Sequence, residues 1–277
     1  MPTRTAAFDR TAADYDCQFS HRTLGRWLRE STWDYLREAF QPGDHVLDLG
    51  CGTGEDALML ARQEISVTGI DVSGEMVNVA RQKSIEAGLS DLVTCAKLDL
   101  TDLRPARLAE ISGLKHGFKF DGAYSNFGAL NCLSGIPAVA SELADMVTPG
   151  GRVILVLMGP MCLWEITWHL IHGKARQAFR RLQGSTVANA GQGEPVRVWY
   201  HTRNQVIEAF SEDFAVLQLA GVGFLLPPSY LADQVDRHPQ IYSSLRRAEL
   251  ALREAPLVPL ASDHYLIVLQ RKETPVG

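Results

Sequence analysis

Residues 46–54 read V-L-D-L-G-C-G-T-G, and the rest of the chain takes its meaning from this stretch. Val46, Leu47 and Leu49 surround a single acid, Asp48, as in a strand buried inside a parallel sheet. Gly50, Gly52 and Gly54 then alternate. Lacking a Cβ, glycine lets the chain turn sharply and brings bare backbone amides against a ligand. A helical stretch follows over 55–62, with Ala57, Leu58 and Leu60 apolar. Strand, glycine turn and helix N-terminus together make a nucleotide-type site at the C-terminal edge of a sheet. A tight turn that binds nothing is the competing reading, and the residues downstream decide between the two.

Dinucleotide folds use G-x-G-x-x-G, where the helix N-terminus receives a pyrophosphate. Here the spacing is G-x-G-x-G, with Asp48 two residues before the first glycine. An acid at that point repels phosphate but suits a ligand with an ammonium or sulfonium group. The stretch resembles motif I of the class I S-adenosylmethionine (SAM)-dependent methyltransferases, which implies that Asp48, Gly50, Cys51 and Gly52 cradle the cofactor.

Further pieces bear the same resemblance, in order along the chain. I-S-V-T-G-I-D-V-S (65–73) reads as a second strand ending in Asp71. Asp71 lies close to the roughly 20-residue offset at which nucleotide folds place a ribose-binding acid, and a carboxylate accepts both hydroxyl hydrogens. Ser73 caps the next helix, with Met76 on its first turn. G-I-D-V-S-x-x-M resembles the family's second motif, which implies that Asp71, Val72 and Met76 bind cofactor, the methionine lying against adenine; plain core filler is the other reading of Met76. A third strand over 92–98 leads to D-L-T-D-L (99–103). The resemblance implies that Asp99 accepts from the adenine amino group and the Leu100 amide serves the ring, with Asp102 a competing candidate. F-D-G-A-Y-S-N-F-G-A-L-N (120–131) reads as the fourth strand and its exit loop, with Ser125 and Asn126 where the family meets the methionine end of SAM. A helix over 136–146 and the turn T-P-G-G (148–151) deliver a fifth strand at 152–158. The resemblance covers residues 8–158.

Composition agrees with this class. Apolar residues are 46% and charged residues 21% of 277, enough for one α/β domain with insertions. Net charge is −5, so no overall basic field attracts nucleic acid. The loop S-N-F-G also differs from the [D/N/S]-P-P-[Y/F] of methyltransferases acting on nucleic-acid amino groups. Five scattered cysteines with no C-x-x-C pair point to a reducing cytoplasm, with no metal site or disulfide framework expected. The start has no apolar h-region, and no run of about 18 apolar residues reads as a membrane span.

The flanking segments should choose the acceptor. Residues 1–40 read as two helices, and the resemblance of A-x-x-Y-D implies that Tyr15 lies near the reacting methyl, an amphipathic packing helix being the alternative. In the insertion 159–194, Trp164, Trp168, Ile171, Ala175, Ala178 and Leu182 step by three or four and predict one helix face. Lys174, Arg176, Arg180 and Arg181 fall outside that stripe, so a cap over the substrate competes with a basic helix on a membrane surface; the cap is the commoner solution. Residues 184–194 read as a polar loop. Asn131, Trp164, Trp168, His169, Trp199 and Tyr200 are the candidate substrate contacts. His201 and Tyr15 are the candidate catalytic groups. A sulfonium is already activated, so alignment does most of the work, although a hydroxyl acceptor gains from a base.

Segments 215–226 and 264–272 resemble the family's last two strands, separated by a second helical insertion over 228–255. The expected fold is therefore α/β: a seven-stranded, mostly parallel, doubly wound sheet with an antiparallel last strand, a helical N-terminal segment and helical lids. The expected units are an N-terminal cap (1–40), a SAM-binding core (41–158), a lid (159–194) and the closing strands (195–277). The resemblance, to the small-molecule group related to UbiE, implies methyl transfer from SAM to a small, partly apolar metabolite, releasing S-adenosylhomocysteine. A membrane-lipid or quinone-type enzyme and a non-catalytic SAM-binding protein are the alternatives. A nicotinamide oxidoreductase would need the glycine spacing that is missing.

Overall fold

The structure is a computed structural model that describes residues 4–189 and 195–273. The chain opens with helix α1 (Arg4–Thr11), a π-helical turn (Asp16–Ser20) and helix α2 (Thr23–Ala39). Strands and helices then alternate: β1 (His45–Leu49), α3 (Glu55–Ala61), β2 (Ser66–Asp71), α4 (Gly74–Glu86), β3 (Val93–Lys97), α5 (Pro105–Ser112), β4 (Phe120–Ser125), α6 (Pro137–Met146) and β5 (Val147–Met158). After β5 come α7 (Leu163–Ile171), α8 (Ala175–Ala178), the hairpin β6 (Ser185–Asn189) and β7 (Pro195–Trp199), and α9 (Arg203–Phe210). The chain closes with β8 (Phe214–Val222), α10 (Ala232–Arg237), α11 (Pro239–Leu252), α12 (Val258–Ala261) and β9 (His264–Arg271).

Seven strands form one sheet in the order β3-β2-β1-β4-β5-β9-β8, with β9 antiparallel to both neighbours. Helices cover both faces, which is why Val46, Leu47 and Leu49 of β1 are fully buried rather than alternating. One face packs Leu28 and Leu36 of α2 with Ala57 and Leu60 of α3. The other packs Leu108 of α5, Leu143 of α6 and Phe210 of α9. The strand order reverses between β1 and β4, and the crevice outside their carboxyl ends is where such sheets bind ligands.

Three expectations change. The segment 161–183 is not one helix. Gly173, at φ +69°, ends α7; α8 and a 3-10 turn (Arg180–Gln183) follow, so Trp164 and Leu182 do not share a face. Part of the expected loop 184–194 is strand β6, which pairs antiparallel with β7 through Val187–Arg197 and Thr186–Val198 as a separate two-stranded sheet; residues 190–194 lie outside the described residues. The fifth strand begins at Val147, taking the T-P-G-G turn into the strand with a register shift opposite Phe120–Gly122. Among the described residues no helix is long and apolar enough to cross a membrane.

Candidate active site

The glycine loop is hung from β2. The amides of Gly50 and Cys51 both donate to the Ile70 carbonyl, at 2.8 and 2.9 Å. The three glycines then divide the labour. A Cβ on Gly50 would stand 2.2 Å from the Ala129 Cβ, and one on Gly54 would stand 2.9 Å from the Ala80 Cβ, so these two permit close packing. Gly52, at φ +52°, faces open space with nothing within 4 Å. It leaves the cradle open.

Asp71 stands at the end of β2. Its Oδ2 accepts from the Gly52 amide and its Oδ1 from the Ser73 amide, both at 2.9 Å. Burial raises its pKa, while those amide bonds oppose the rise. Ser73 accepts from the Met76 amide at 3.1 Å, capping α4, and donates to Asp9 of α1 at 2.6 Å. The N-terminal helix is thereby fastened over the edge of the site. Val72 is half-buried and Met76 is buried in the core. Past β3, Asp99 accepts from the Thr101 amide and hydroxyl at 2.9 Å each, and Leu100 is half-buried beside it.

Beneath the far end of the crevice lies a buried network. Arg29 of α2 donates to Asp56 at 2.8 Å, and Asp56 also accepts from the Trp33 indole at 2.6 Å and the Asn126 amide at 3.0 Å. Burial opposes the Arg29 charge, but the Asp56 carboxylate outweighs it and raises the guanidinium's pKa. The rings of Phe19 and Phe127 sit 5.5 and 5.4 Å from that guanidinium. Phe127 itself has φ +49°, a strained backbone for a bulky residue, held by ring contacts to Phe19 and His264 at 5.7 and 5.5 Å. Tyr15 packs against Phe19 at 5.8 Å; burial pushes its phenol pKa up, and Arg29, Asp56 and Asp71 all act on it electrostatically. Two buried polar atoms of this network have no partner among the described residues: Arg29 Nε and Asn126 Oδ1.

These groups fit SAM. Asp71 suits ribose hydroxyls, the unpartnered Asn126 carbonyl oxygen suits an ammonium, and aromatic faces suit a sulfonium. None of the sequence motifs pointed to Arg29, Asp56 or Phe127. The only hint for Arg29 was a charged side chain on the otherwise apolar face of α2.

Several candidates take other positions. Asp48 is enclosed within the sheet, where its Oδ2 accepts from the Tyr124 hydroxyl at 2.9 Å and burial raises its pKa well above the carboxylate range. It joins β1 to β4. Ser125 donates to the Leu49 carbonyl at 2.7 Å, another tie between those strands. Cys51 is buried beside Cys95, whose thiol hydrogen-bonds with it and raises its pKa, with burial adding to the shift. His201 is buried with Nε2 2.9 Å from the Leu133 carbonyl; a carbonyl only accepts, so Nε2 carries the proton. Its own carbonyl accepts from the Tyr265 hydroxyl. His201 is therefore a joint leading into α9.

The candidate substrate contacts are spread out. Asn131 donates to the carbonyls of Met158 and Trp199 and accepts from the Met158 amide, so both hydrogens of its amide are committed to clamping β5 against β7. Trp164 donates to the Leu225 carbonyl at 3.1 Å and packs against Trp168 at 5.6 Å. The His169 ring stacks on Tyr230; burial lowers its pKa, and its buried Nδ1 has no partner among the described residues. The Tyr200 hydroxyl lies 3.1 Å from that of Thr186. Trp199 lines a cavity of about 490 Å³ together with Leu100, Leu133, Val139, Val196 and Arg197. That cavity therefore borders the loop after β3.

The lid is held by side-chain charges. Arg181, buried, donates to Glu165 at 2.7 Å and to Asp263 at 2.5 Å, and Arg180 reaches the other oxygen of Glu165 at 2.7 Å. Burial would raise the Asp263 pKa, but Arg181 and then His264 outweigh it and hold the carboxyl far below its usual range.

Comparison with known proteins agrees with this geometry. A family model described as a methyltransferase domain matches residues 46–151. The chain is 31% identical to a demethylmenaquinone methyltransferase of Symbiobacterium thermophilum over 150 residues, 53% of this chain and 55% of that protein. It is 33% identical to the S-adenosyl-L-methionine-dependent Diels-Alderase iccD of Talaromyces variabilis over 150 residues, 50% of this chain and 47% of the relative. The chain thus spans about half the length of these curated relatives. A solved SAM-dependent methyltransferase from Mesorhizobium loti superposes with a TM-score of 0.57 at 19% identity, over 87% of this chain and 98% of that one, a likeness of fold. The chain carries a methyltransferase domain over residues 46–151, on the fold of solved SAM-dependent methyltransferases. Its cofactor is SAM.

Proposed function

We propose that the chain transfers the methyl group of SAM to a small, partly apolar molecule and releases S-adenosylhomocysteine. The observation that carries this reading is the buried Asn126 Oδ1, without a partner among the described residues, beyond an open glycine cradle and in the same network as Arg29 with its Phe19 and Phe127 rings. When bound, SAM supplies a methyl already activated for attack, and the protein's remaining work is alignment and exclusion of water. Asp71 would hold the ribose hydroxyls and Asn126 Oδ1 the ammonium. Tyr15, Phe19 and Phe127 would close the methyl end against solvent. Residues 1–40 act as the cofactor's cap, 41–158 as the core, 159–194 as the lid, and 195–277 complete the sheet. The demethylmenaquinone methyltransferase relative favours an apolar ring as the acceptor class.

Calorimetry with SAM tests the cofactor half of this reading, and transfer of labelled methyl to a panel of apolar phenols, quinols and amines tests the other half. Absence of SAM binding sinks both. The Diels-Alderase relative supports a second reading, in which SAM stays intact while another substrate is converted; turnover without S-adenosylhomocysteine release would select it.

A further inference from the structure

Helix α7 is inside out. Its charged and titratable residues Glu165 and His169 point inward, 1% and 9% exposed, while Leu163, Leu170 and Ile171 point outward at 44, 46 and 81%, beside the exposed Thr167. A surface helix ordinarily does the reverse. The inward face is accounted for, since Glu165 meets Arg180 and Arg181 and His169 meets Tyr230. Nothing among the described residues covers the outward one. Exposed apolar side chains continue past the helix at Phe179 and Leu182, 45 and 56% exposed.

The charge around this patch identifies what would cover it. Lys174 and Arg176 follow α7 directly and are exposed, with no carboxylate partner among the described residues. Segment 163–182 carries four basic side chains against one acid; Arg180 and Arg181 pair with Glu165 and Asp263, which leaves Lys174 and Arg176 as exposed positive charge in a chain of net charge −5. An anionic surface would repel the rest of the molecule and attract this segment. The rings of Trp168 and His172 lie 4.3 Å apart, tilted by 38°, beside the apolar stripe, and such amphipathic rings are at home at the level of lipid headgroups. Apolar side chains, flanking cations and rim aromatics are the ingredients of an interfacial helix, and no described helix could span a bilayer instead.

We propose that the outer face of α7, with Lys174 and Arg176, docks the protein reversibly on a bilayer containing anionic phospholipid. The proposal does not depend on methyl transfer, and its readout is independent of activity.

Flotation of the full chain tests it, with vesicles of phosphatidylcholine alone and vesicles of equal parts phosphatidylcholine and phosphatidylglycerol. The protein should float with the anionic vesicles, stay down with the neutral ones, and be released by high salt. L170S/I171S and K174E/R176E should each weaken flotation about tenfold or more. These side chains are exposed, so both variants should melt at the wild-type temperature, which separates lost docking from lost folding. Wild-type protein that does not float with anionic vesicles overturns the proposal. So does flotation unchanged in both variants. A concentration-dependent dimer on gel filtration that L170S/I171S dissolves would assign the face to a second copy and overturn it as well.

Discussion

The two halves of the sheet's active edge are built by opposite means. On the cofactor side, backbone does the work: amides of Gly50 and Cys51 hang on a carbonyl, and Asp71 is held by two further amides. On the lid side, side-chain charge does it, with Arg181 buried between Glu165 and Asp263. Backbone hydrogen bonds need glycines and one acid at set spacings, and so leave a motif. A charge cluster contributed by residues far apart in sequence leaves none.

The largest expected effect falls on the lid. Arg181→Met would leave the buried Asp263 carboxylate without its main cation and Glu165 with Arg180 alone, a change that costs about 3–5 kcal/mol. Asp263 also fixes a pH signature. Its native pKa lies below the unfolded value, so its stabilisation is complete above about pH 4 and is lost as pH falls through the native value. In R181M that depression goes, and acid unfolding should begin at higher pH. Thermal melts across pH 3–7 check both points. If lid and cradle are as separate as their construction suggests, SAM affinity in R181M at temperatures where it stays folded should move little.

Asp71→Ala is the converse. Losing charge-assisted bonds to two hydroxyls should weaken SAM about 100-fold or more, measured by calorimetry, while Glu165 and Arg181 remain paired. Gly52→Ala should come next. The strain at φ +52° costs about 1 kcal/mol, and the new methyl projects into the cradle's open space, so SAM affinity should fall further than stability does. Equal losses in both would mean that Gly52 serves only the turn.

Much of the fold was legible because its signals are local. The apolar run at 46–49, the glycine turn, Asp71 at its offset and the cap at Ser73 each depend on neighbours within a few residues. The lid misled for a physical reason. Trp164, Trp168, Ile171 and Leu182 keep helical spacing across Gly173, but spacing does not say which stripe is buried, and here the buried face of α7 is the polar one. Strand β6 was missed because S-T-V-A-N carries too little apolar signal apart from its partner β7. His201 had the chemistry of a base but lies under Leu133, and only the tertiary contact shows it. Arg29 and Asp56 meet across 27 residues, with no motif to announce the pair.

The smallest effect probes the one acid on which motif and geometry disagree. Asp48 belongs to the glycine motif, yet its carboxyl is buried against Tyr124. Burial raises its native pKa above the unfolded value, so the ionised form is the disfavoured one in the fold. The sign follows: the group costs nothing below about pH 4, and stability is lost as pH rises toward the native pKa. An asparagine side chain in its place could still accept the Tyr124 hydroxyl proton but could not ionise. Asp48→Asn should therefore match the wild type near pH 4 and exceed it by on the order of 1 kcal/mol near pH 8, with SAM affinity retained. Melting curves at the two pH values and one titration decide it. A variant that loses SAM while its stability curve stays unchanged would return Asp48 to the cradle and remove the distinction between a backbone-built cofactor site and the acid that merely joins its strands.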